Sequence, residues 1–242
     1  MNRAKFHYFI RRTHRFMGVF LGIQFLLWTI GGLYFSWTKI DEIRGENLRQ
    51  KTPSMPSDWV FVSPSVPLAQ IKKDGGIDSV VSIQTAVILG KPYYQILFQV
   101  GKDRKTQLAD ALTGALRPPL SKEEATAVSL QSFKEKSEVV DIQYITSTNG
   151  HHEYREKPLP AYAVKLSHPT NTTVYVAAEL GTVQSFRNDR WRIFDFLWML
   201  HVMDFENRDD INNNLLRGFS LLGIVTLCSG FLLFFVSYRT KR

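Results

Sequence analysis

Two apolar runs, Phe16 to Phe35 and Gly218 to Tyr238, lie near the ends of a 242-residue chain, and nearly everything polar lies between them. Neither run contains an Asp, Glu, Lys or Arg. Each supplies the ~20 residues that a hydrocarbon core of roughly 30 Å requires, so both read as transmembrane helices, and the chain reads as a membrane hairpin carrying one large inserted domain.

Charge orients the hairpin. Arg3, Lys5, Arg11, Arg12 and Arg15 precede Phe16 without an acid, and Arg239, Lys241 and Arg242 follow the second run, again without an acid. Basic flanks resist translocation, so both tails are expected in the cytoplasm and Ser36 to Leu216 on the far side of the membrane. That middle stretch holds 21 Lys plus Arg against 22 Asp plus Glu, so the net charge of +8 belongs to the tails and Arg217. A near-neutral inserted domain argues against nucleic-acid binding. A cleaved signal peptide would also begin with a basic region and an apolar run, but its apolar core is 7–15 residues long and ends in small residues. Here Trp28, Tyr34, Phe35 and Trp37 stand instead, as in an interfacial aromatic belt. The single cysteine, Cys228, lies in the second run, so the inserted domain has no internal disulfide and must hold together by its own core.

Within the domain, residues 38–64 are rich in charge, Pro and Ser and read as a connector with little packing. A short helix over Val66 to Lys73 follows, then three antiparallel strands over Ser79 to Leu89, Tyr93 to Val100 and Lys105 to Asp110, separated by Gly-containing turns. The pattern then repeats. Ser121 and Glu124 form a capping box opening a helix from Lys122 to about Lys136, and Val139 to Thr146, Ala161 to Ser167 and Thr173 to Ala178 read as strands. The last predicted strand of each unit runs into a comparable turn, Asp110-Ala-Leu-Thr-Gly114 and Ala177-Ala-Glu-Leu-Gly181.

The expected fold class is therefore α+β, with two transmembrane helices flanking two tandem helix-plus-antiparallel-sheet modules. The expected divisions are a basic tail at 1–15, a first span at 16–37, the connector at 38–64, and modules at 65–120 and 121–187. An amphipathic interfacial helix at 188–206, a second span at 215–238 and a tail at 239–242 complete the chain.

The Asp110-Ala-Leu-Thr-Gly114 ending on a helix and three strands resembles a PepSY domain, whose final strand runs into an Asp-Ala-x-Thr-Gly turn; the second copy lacks the Asp and Thr. The ends are similar to the PepSY-associated transmembrane helix family. His14-Arg15-Phe16-Met17-Gly18 fits its His-Arg-x-x-Gly entry to the first helix, and Leu200-His201 fits its Leu-His motif before the last. This resemblance implies a protein of the bacterial inner membrane whose periplasmic PepSY modules bind or regulate a protein partner, a peptidase being one candidate, without enzymatic activity. Redox members of the broad family have more membrane helices, and some carry a flavin reductase domain that has no counterpart here.

Residue types suggest a second class. Trp191, Phe194, Trp198, His201, Val202 and Phe205 share one helical stripe, which reads as an amphipathic helix with its aromatic rings at headgroup level. A histidine among aromatic rings near a bilayer also suits a flat apolar cofactor, so His201 and His14 are candidate axial ligands of haem b in an accessory subunit for electron transfer or iron acquisition. On the hairpin topology they lie about a hydrocarbon thickness apart, so one haem cannot take both. Without haem, no cofactor is expected. The loop His151-His152-Glu153 has metal-ligand residue types without ligand spacing, so no metal site is assigned. No catalytic motif with a nucleophile and base stands out.

Lipid contacts are expected from Arg11, Arg12, Arg15, Trp37, Trp191 and Trp198. Gly18 and Gly22 on the first span, with Gly223 and Gly230 on the second, are small residues that permit close helix packing, within the hairpin or in a homodimer. Gln24, the strongly polar side chain inside the first span, is expected to hydrogen-bond across the helix pair.

Overall fold

The computed structural model describes residues 3–51 and 54–239. The chain divides into two compact units. A helical unit combines Met1–Lys39 with Ile193–Arg242, and a sheet unit comprises Ile40–Arg192.

In the helical unit, α1 (Arg3–Trp37) and α6 (Asn214–Arg239) are joined by the C-terminal part of α5 (Asp189–Val202) and its following loop. Two helices are long and apolar enough to cross a membrane, over Tyr8–Trp37 and Asn214–Phe235. Only 11% of either apolar window is buried within the chain, and side chains such as Phe16 and Phe231 point outward. The core helix of a soluble protein would hide them, whereas in lipid such side chains meet tails as apolar as themselves. Because α1 begins at Arg3, the basic residues expected as a tail before Phe16 extend the same helix. The expected C-terminal tail lies, beyond Arg239, outside the described residues.

The two long helices meet through large side chains of α1 seated on small positions of α6. Phe20 stacks on Phe219 with centroids 5.4 Å apart. The Phe25 ring and the His14 ring come within 3.3 Å of where a Cβ would stand on Gly223 and Gly230. Gly18 and Gly22 have nothing within 4 Å of theirs. Within the hairpin, close approach thus uses the glycines of α6, over which Phe25 and His14 lie, and not Gly18 or Gly22.

The sheet unit begins with α2 (Ile40–Ile43) and a 3-10 turn (Glu46–Leu48), then α3 (Ser65–Gly75) and β1 (Ser79–Ile88), β2 (Lys91–Val100), β3 (Asp103–Asp110) and β4 (Leu116–Arg117). The second half has α4 (Lys122–Ser132), β5 (Val139–Ile145), β6 (Ala161–Leu166), β7 (Thr173–Ala177) and β8 (Thr182–Arg187). Each half is one four-stranded antiparallel sheet in sequential order, with one strand more than the sequence pattern predicts. The extra strands, β4 and β8, follow the shared turn and pair back on the strand before it.

Alternation decides what each sheet covers. Tyr94, Ile96 and Phe98 of β2 point to one face and pack with Ile71 of α3. In the second sheet Val174 and Val176 pack beneath Ala125 and Val128 of α4, while Tyr175 between them faces the opposite side. There the segment at 147–160 acts as a strap: Tyr154 is fully buried, stacks on Tyr175 at 4.7 Å and 10°, and donates its hydroxyl to Pro158 O. With α4 on one face and the strap on the other, every residue of β7 is buried.

The capping box forms as expected. Ser121 Oγ accepts from Glu124 N at 3.2 Å, and Glu124 Oε2 accepts from Ser121 N at 2.9 Å. The helix stops at Ser132, short of the predicted Lys136, because Phe133 turns into the core and bridges to Arg49 in extended pairing. The connector also packs more than its composition predicts: Ile43 and Leu48 are buried, and Val62 joins the first sheet's core.

The two halves repeat at the level of single hydrogen bonds. Ala111 N donates to Pro92 O and Ala178 N to Pro160 O; Gly114 N donates to Asp110 O and Gly181 N to Ala177 O, both at 2.8 Å. Gly114 and Gly181 have φ of 79° and 69°, the left-handed region that suits glycine. In the first copy Asp110 Oδ1 also accepts from Leu112 N and Thr113 N, an interaction that Ala177 lacks.

Candidate functional sites

The helical unit brings His14 against α6. Ser229 Oγ donates to Thr226 O at 2.7 Å and lies 2.7 Å from His14 Nδ1. A hydroxyl has one proton, and here the helix carbonyl takes it, so the bond to the ring requires Nδ1–H as donor. In the tautomer with Nδ1 as donor, the ring's lone pair lies on Nε2. Beside it lies an open apolar groove of about 570 Å³ on the surface of α6, lined by Thr226, Leu227, Gly230 and the largely exposed Phe231, Phe234 and Phe235. Thr226 Oγ1 is buried with no hydrogen-bond partner among the described residues. An imidazole with Nδ1 committed and Nε2 bare has the donor set of a metal-ligating histidine, so these residues fit a haem ligand at His14.

His201 lies elsewhere. Its ring packs among Trp28, Phe35 and Trp198, with centroids 5.7, 6.1 and 6.0 Å away and the Trp198 ring nearly parallel. Nδ1 of His201 and Nε1 of Trp28 are both buried without a hydrogen-bond partner among the described residues. His14 and Trp28 are fourteen residues apart on one helix, ~21 Å of axial rise, so the structure does not bring the two histidines together.

Gln24 does find a partner, but on α5 and not on α6: its Nε2 donates to Leu200 O at 3.0 Å. Asn213 Nδ2 likewise donates to Val202 O at 2.8 Å. Both acceptors are among the last four carbonyls of α5, which no residue of that helix can satisfy. Beyond them Asp204 gathers the loop, accepting from the backbone N–H groups of Glu206, Asn207, Asp209 and Asp210. Burial pushes the Asp204 carboxyl up, and these donors more than reverse that, leaving it below the usual carboxylate range. Buried Asp195 pairs with Arg208 across the same turn.

Among the expected lipid anchors, Arg11, Arg12, Arg15 and Trp37 are exposed. Trp191 is 9% exposed and lies in the sheet unit between two guanidinium groups, Arg187 at 4.1 Å and Arg155 at 5.7 Å from its ring, so it is a core side chain and not a headgroup anchor. Trp198 is half-buried against Phe194, Phe35 and His201. The stripe expected to lie on a membrane surface therefore packs partly on protein.

In the sheet unit, Glu153 of the His-His-Glu loop is committed to its neighbours. Its carboxylate accepts from Arg192 Nε at 2.8 Å, from Arg192 Nη2 at 3.2 Å and from the Tyr175 hydroxyl at 2.7 Å. Burial first, then the adjacent Glu153 charge, raises the Tyr175 phenol well above its ordinary range, so it remains a donor. His152 Nδ1 accepts from Tyr154 N. Among the described residues no three His, Cys, Asp or Glu side chains converge on one point.

The sheet unit also has an open cleft of about 590 Å³. Its rim is built from Val87 to Gly90 at the end of β1, Gly181 to Val183 at the start of β8, the end of α4 with Phe133 and Lys134, and Arg49 to Lys51. Arg49 lies over the Phe186 ring at 5.1 Å, and its Nε is 3.1 Å from Glu46 Oε2 but off the line a hydrogen bond requires. Pattern reading missed this site because its walls come from four separated segments. The signal that could have found it is the run of ten uncharged residues in β1.

No protein-family model, no curated protein and no solved structure matches this chain.

Proposed function

We propose that this chain is an inner-membrane protein whose two apolar helices anchor a periplasmic pair of PepSY-like modules, and that those modules bind a protein partner without enzymatic activity. The observation that carries this reading is β1. It is the outer strand of its sheet, ten residues long with one bulge between Val80 and Ser82, without a charge or a proline, and with half of its residues exposed and only Ile88 buried. Outer strands ordinarily carry lysine, proline or bulges that prevent another chain from pairing, so a long uncharged edge is a surface suited to strand addition. The partner class comes from the resemblance alone, which makes a peptidase one candidate. A photo-crosslinking side chain placed at Gln84 or Thr85 of the full-length protein in cells should yield a discrete adduct that one at Lys102 does not. Absence of any adduct from every position along β1 would sink the proposal.

A second reading, a haem-binding accessory subunit of an electron-transfer or iron-acquisition system, is favoured by the single observation at His14. Ser229 would hold the ring through Nδ1, and the phenyl rings of α6 would line the apolar side of the site. Haem, when bound, would supply one-electron chemistry that the side chains cannot. Detergent-purified protein from haem-replete cells should then show a Soret band that His14→Ala removes and His201→Ala leaves. A colourless preparation refutes this reading and leaves the first intact.

A further inference from the structure

The edges of the two sheets are not equally protected. β1 is bulged between Val80 and Ser82, β5 between Val139 and Asp141, and β8 carries an extra residue at Gln184 opposite the Tyr175–Val176 step. Such bulges bend a strand away from any incoming neighbour. From Ile83 to Ile88, however, β1 stays in regular register with β2, and among the described residues no strand pairs with its other side. That unprotected half leads into the cleft described above.

The cleft is cationic. Arg49, Lys51 and Lys134 stand on its rim, and none of its lining residues is an Asp or Glu. Lys51 and Lys134 are exposed and have no ion-pair partner among the described residues, while Arg49 meets Glu46 only in poor alignment. The stretch from Ser36 to Leu216 is close to charge balance overall, so three cations around one strand end are a local arrangement and not the surplus of a basic domain. The site therefore offers an acidic ligand two things together: the unpaired side of an outer strand, and cations around the cleft into which that strand ends.

We infer that the cleft receives an extended acidic segment of the partner protein, added as a strand along Ile83 to Ile88 with its carboxylates against Arg49, Lys51 and Lys134. This deepens the partner-binding reading and rests on it. The backbone supplies affinity common to any extended chain, and the three cations select the acidic one.

The test uses the full-length protein in detergent micelles and three fluorescein-labelled octapeptides of alternating sequence, Glu-Val, Gln-Val and Lys-Val. The Glu-Val peptide should bind most tightly by fluorescence anisotropy, weaken as salt rises, and lose about tenfold in affinity in the double variant Lys51→Glu/Lys134→Glu, which should bind the Lys-Val peptide instead. Both lysines are exposed, so the variant should melt with the parent protein. Equal affinity for all three peptides, or no response to charge reversal, would overturn the acidic specificity while leaving strand addition at β1 standing. Absence of binding by any peptide would overturn this inference without touching the crosslinking test above. Equal competition by an oligothymidylate of similar length would also overturn it, because charge alone would then suffice.

Discussion

The repeated turn allows a sharp test of how the two halves of the sheet unit are joined. Gly90, Gly114 and Gly181 all have positive φ, at 80°, 79° and 69°, so alanine at any of them incurs the same backbone cost, ~1–2 kcal/mol less a few tenths recovered from the stiffer unfolded chain. They differ in what a methyl group would meet. At Gly90 there is nothing within 4 Å. At Gly114 the new Cβ would lie 2.7 Å from Val66 Cγ1, but Val66 is half exposed and its helix can shift. At Gly181 it would lie 2.4 Å from Ile88 Cδ1 and 3.3 Å from Leu108 Cδ1, and both of those side chains are 2% exposed and confined. Overpacking a closed core adds ~1–3 kcal/mol.

The expected order is Gly90→Ala at about 1 kcal/mol, Gly114→Ala at about 2 and Gly181→Ala at about 3–4. For a unit of about 150 residues each kcal/mol moves Tm by roughly 2–4 °C, so Gly181→Ala should melt roughly 6–16 °C below the parent protein. Thermal unfolding in detergent micelles, followed by the fluorescence of buried Trp191, measures it. A Gly181→Ala variant that melts with Gly90→Ala would refute the claim that the second turn is wedged into the first sheet.

Three other outcomes follow from named contacts. Asp204 is held below the ordinary carboxylate range, so its contribution is complete above that range and is lost as pH falls through its lowered folded value; Asp204→Asn should lower stability at neutral pH and flatten the acid limb of a Tm against pH curve. Arg192→Met removes both guanidinium hydrogen bonds from the Glu153 carboxylate, about one-fifth exposed, and leaves the Tyr175 hydroxyl donating to it; it should cost about 1–2 kcal/mol in urea unfolding, and Glu153→Gln in the same background should recover part of that. Cys228 is exposed within the chain yet lies in the second apolar helix, so in bilayers a membrane-impermeant maleimide should leave it unmodified until detergent is added, while Lys102→Cys should label in intact cells; the reverse pattern would overturn the proposed periplasmic placement of the sheet unit.

Much of the architecture was legible along the chain because it depends on neighbours in sequence. A charge-free run of twenty residues, the capping box at Ser121 and Glu124, and the glycines Gly90, Gly101, Gly114 and Gly181 after β1, β2, β3 and β7 act within a few residues, so the helices, most strand positions and the duplicated turn follow from local chemistry. The fourth strand of each sheet was hidden because Leu116–Arg117 is too short to show alternation, and Thr182–Arg187 follows so closely on the turn that it reads as part of it. The strap was hidden as well: Tyr154 is one aromatic residue in a Gly- and Pro-containing segment until Tyr175 lies beneath it.

The candidate sites divide in the same way. The histidines could be picked out by type and setting, and their separation along the hairpin followed from helix rise alone. Which ring nitrogen is free at His14 depends on Ser229, 215 residues away, and on the carbonyl to which that serine gives its proton. The partner of Gln24 proved to be an orphan carbonyl at the end of α5, because a helix terminus needs an outside donor more than the fully bonded α6 does. The cationic cleft exists only where Arg49, Lys51, Lys134 and the end of β1 converge in the folded sheet unit. Sequence by itself determined the two membrane-competent helices, the α+β class and the repeat, since hydropathy, caps and turn residues act locally. Tertiary structure alone decided the tautomer at His14, the burial of Trp191 and the open strand edge beside the cleft, since each depends on atoms brought together from distant parts of the chain.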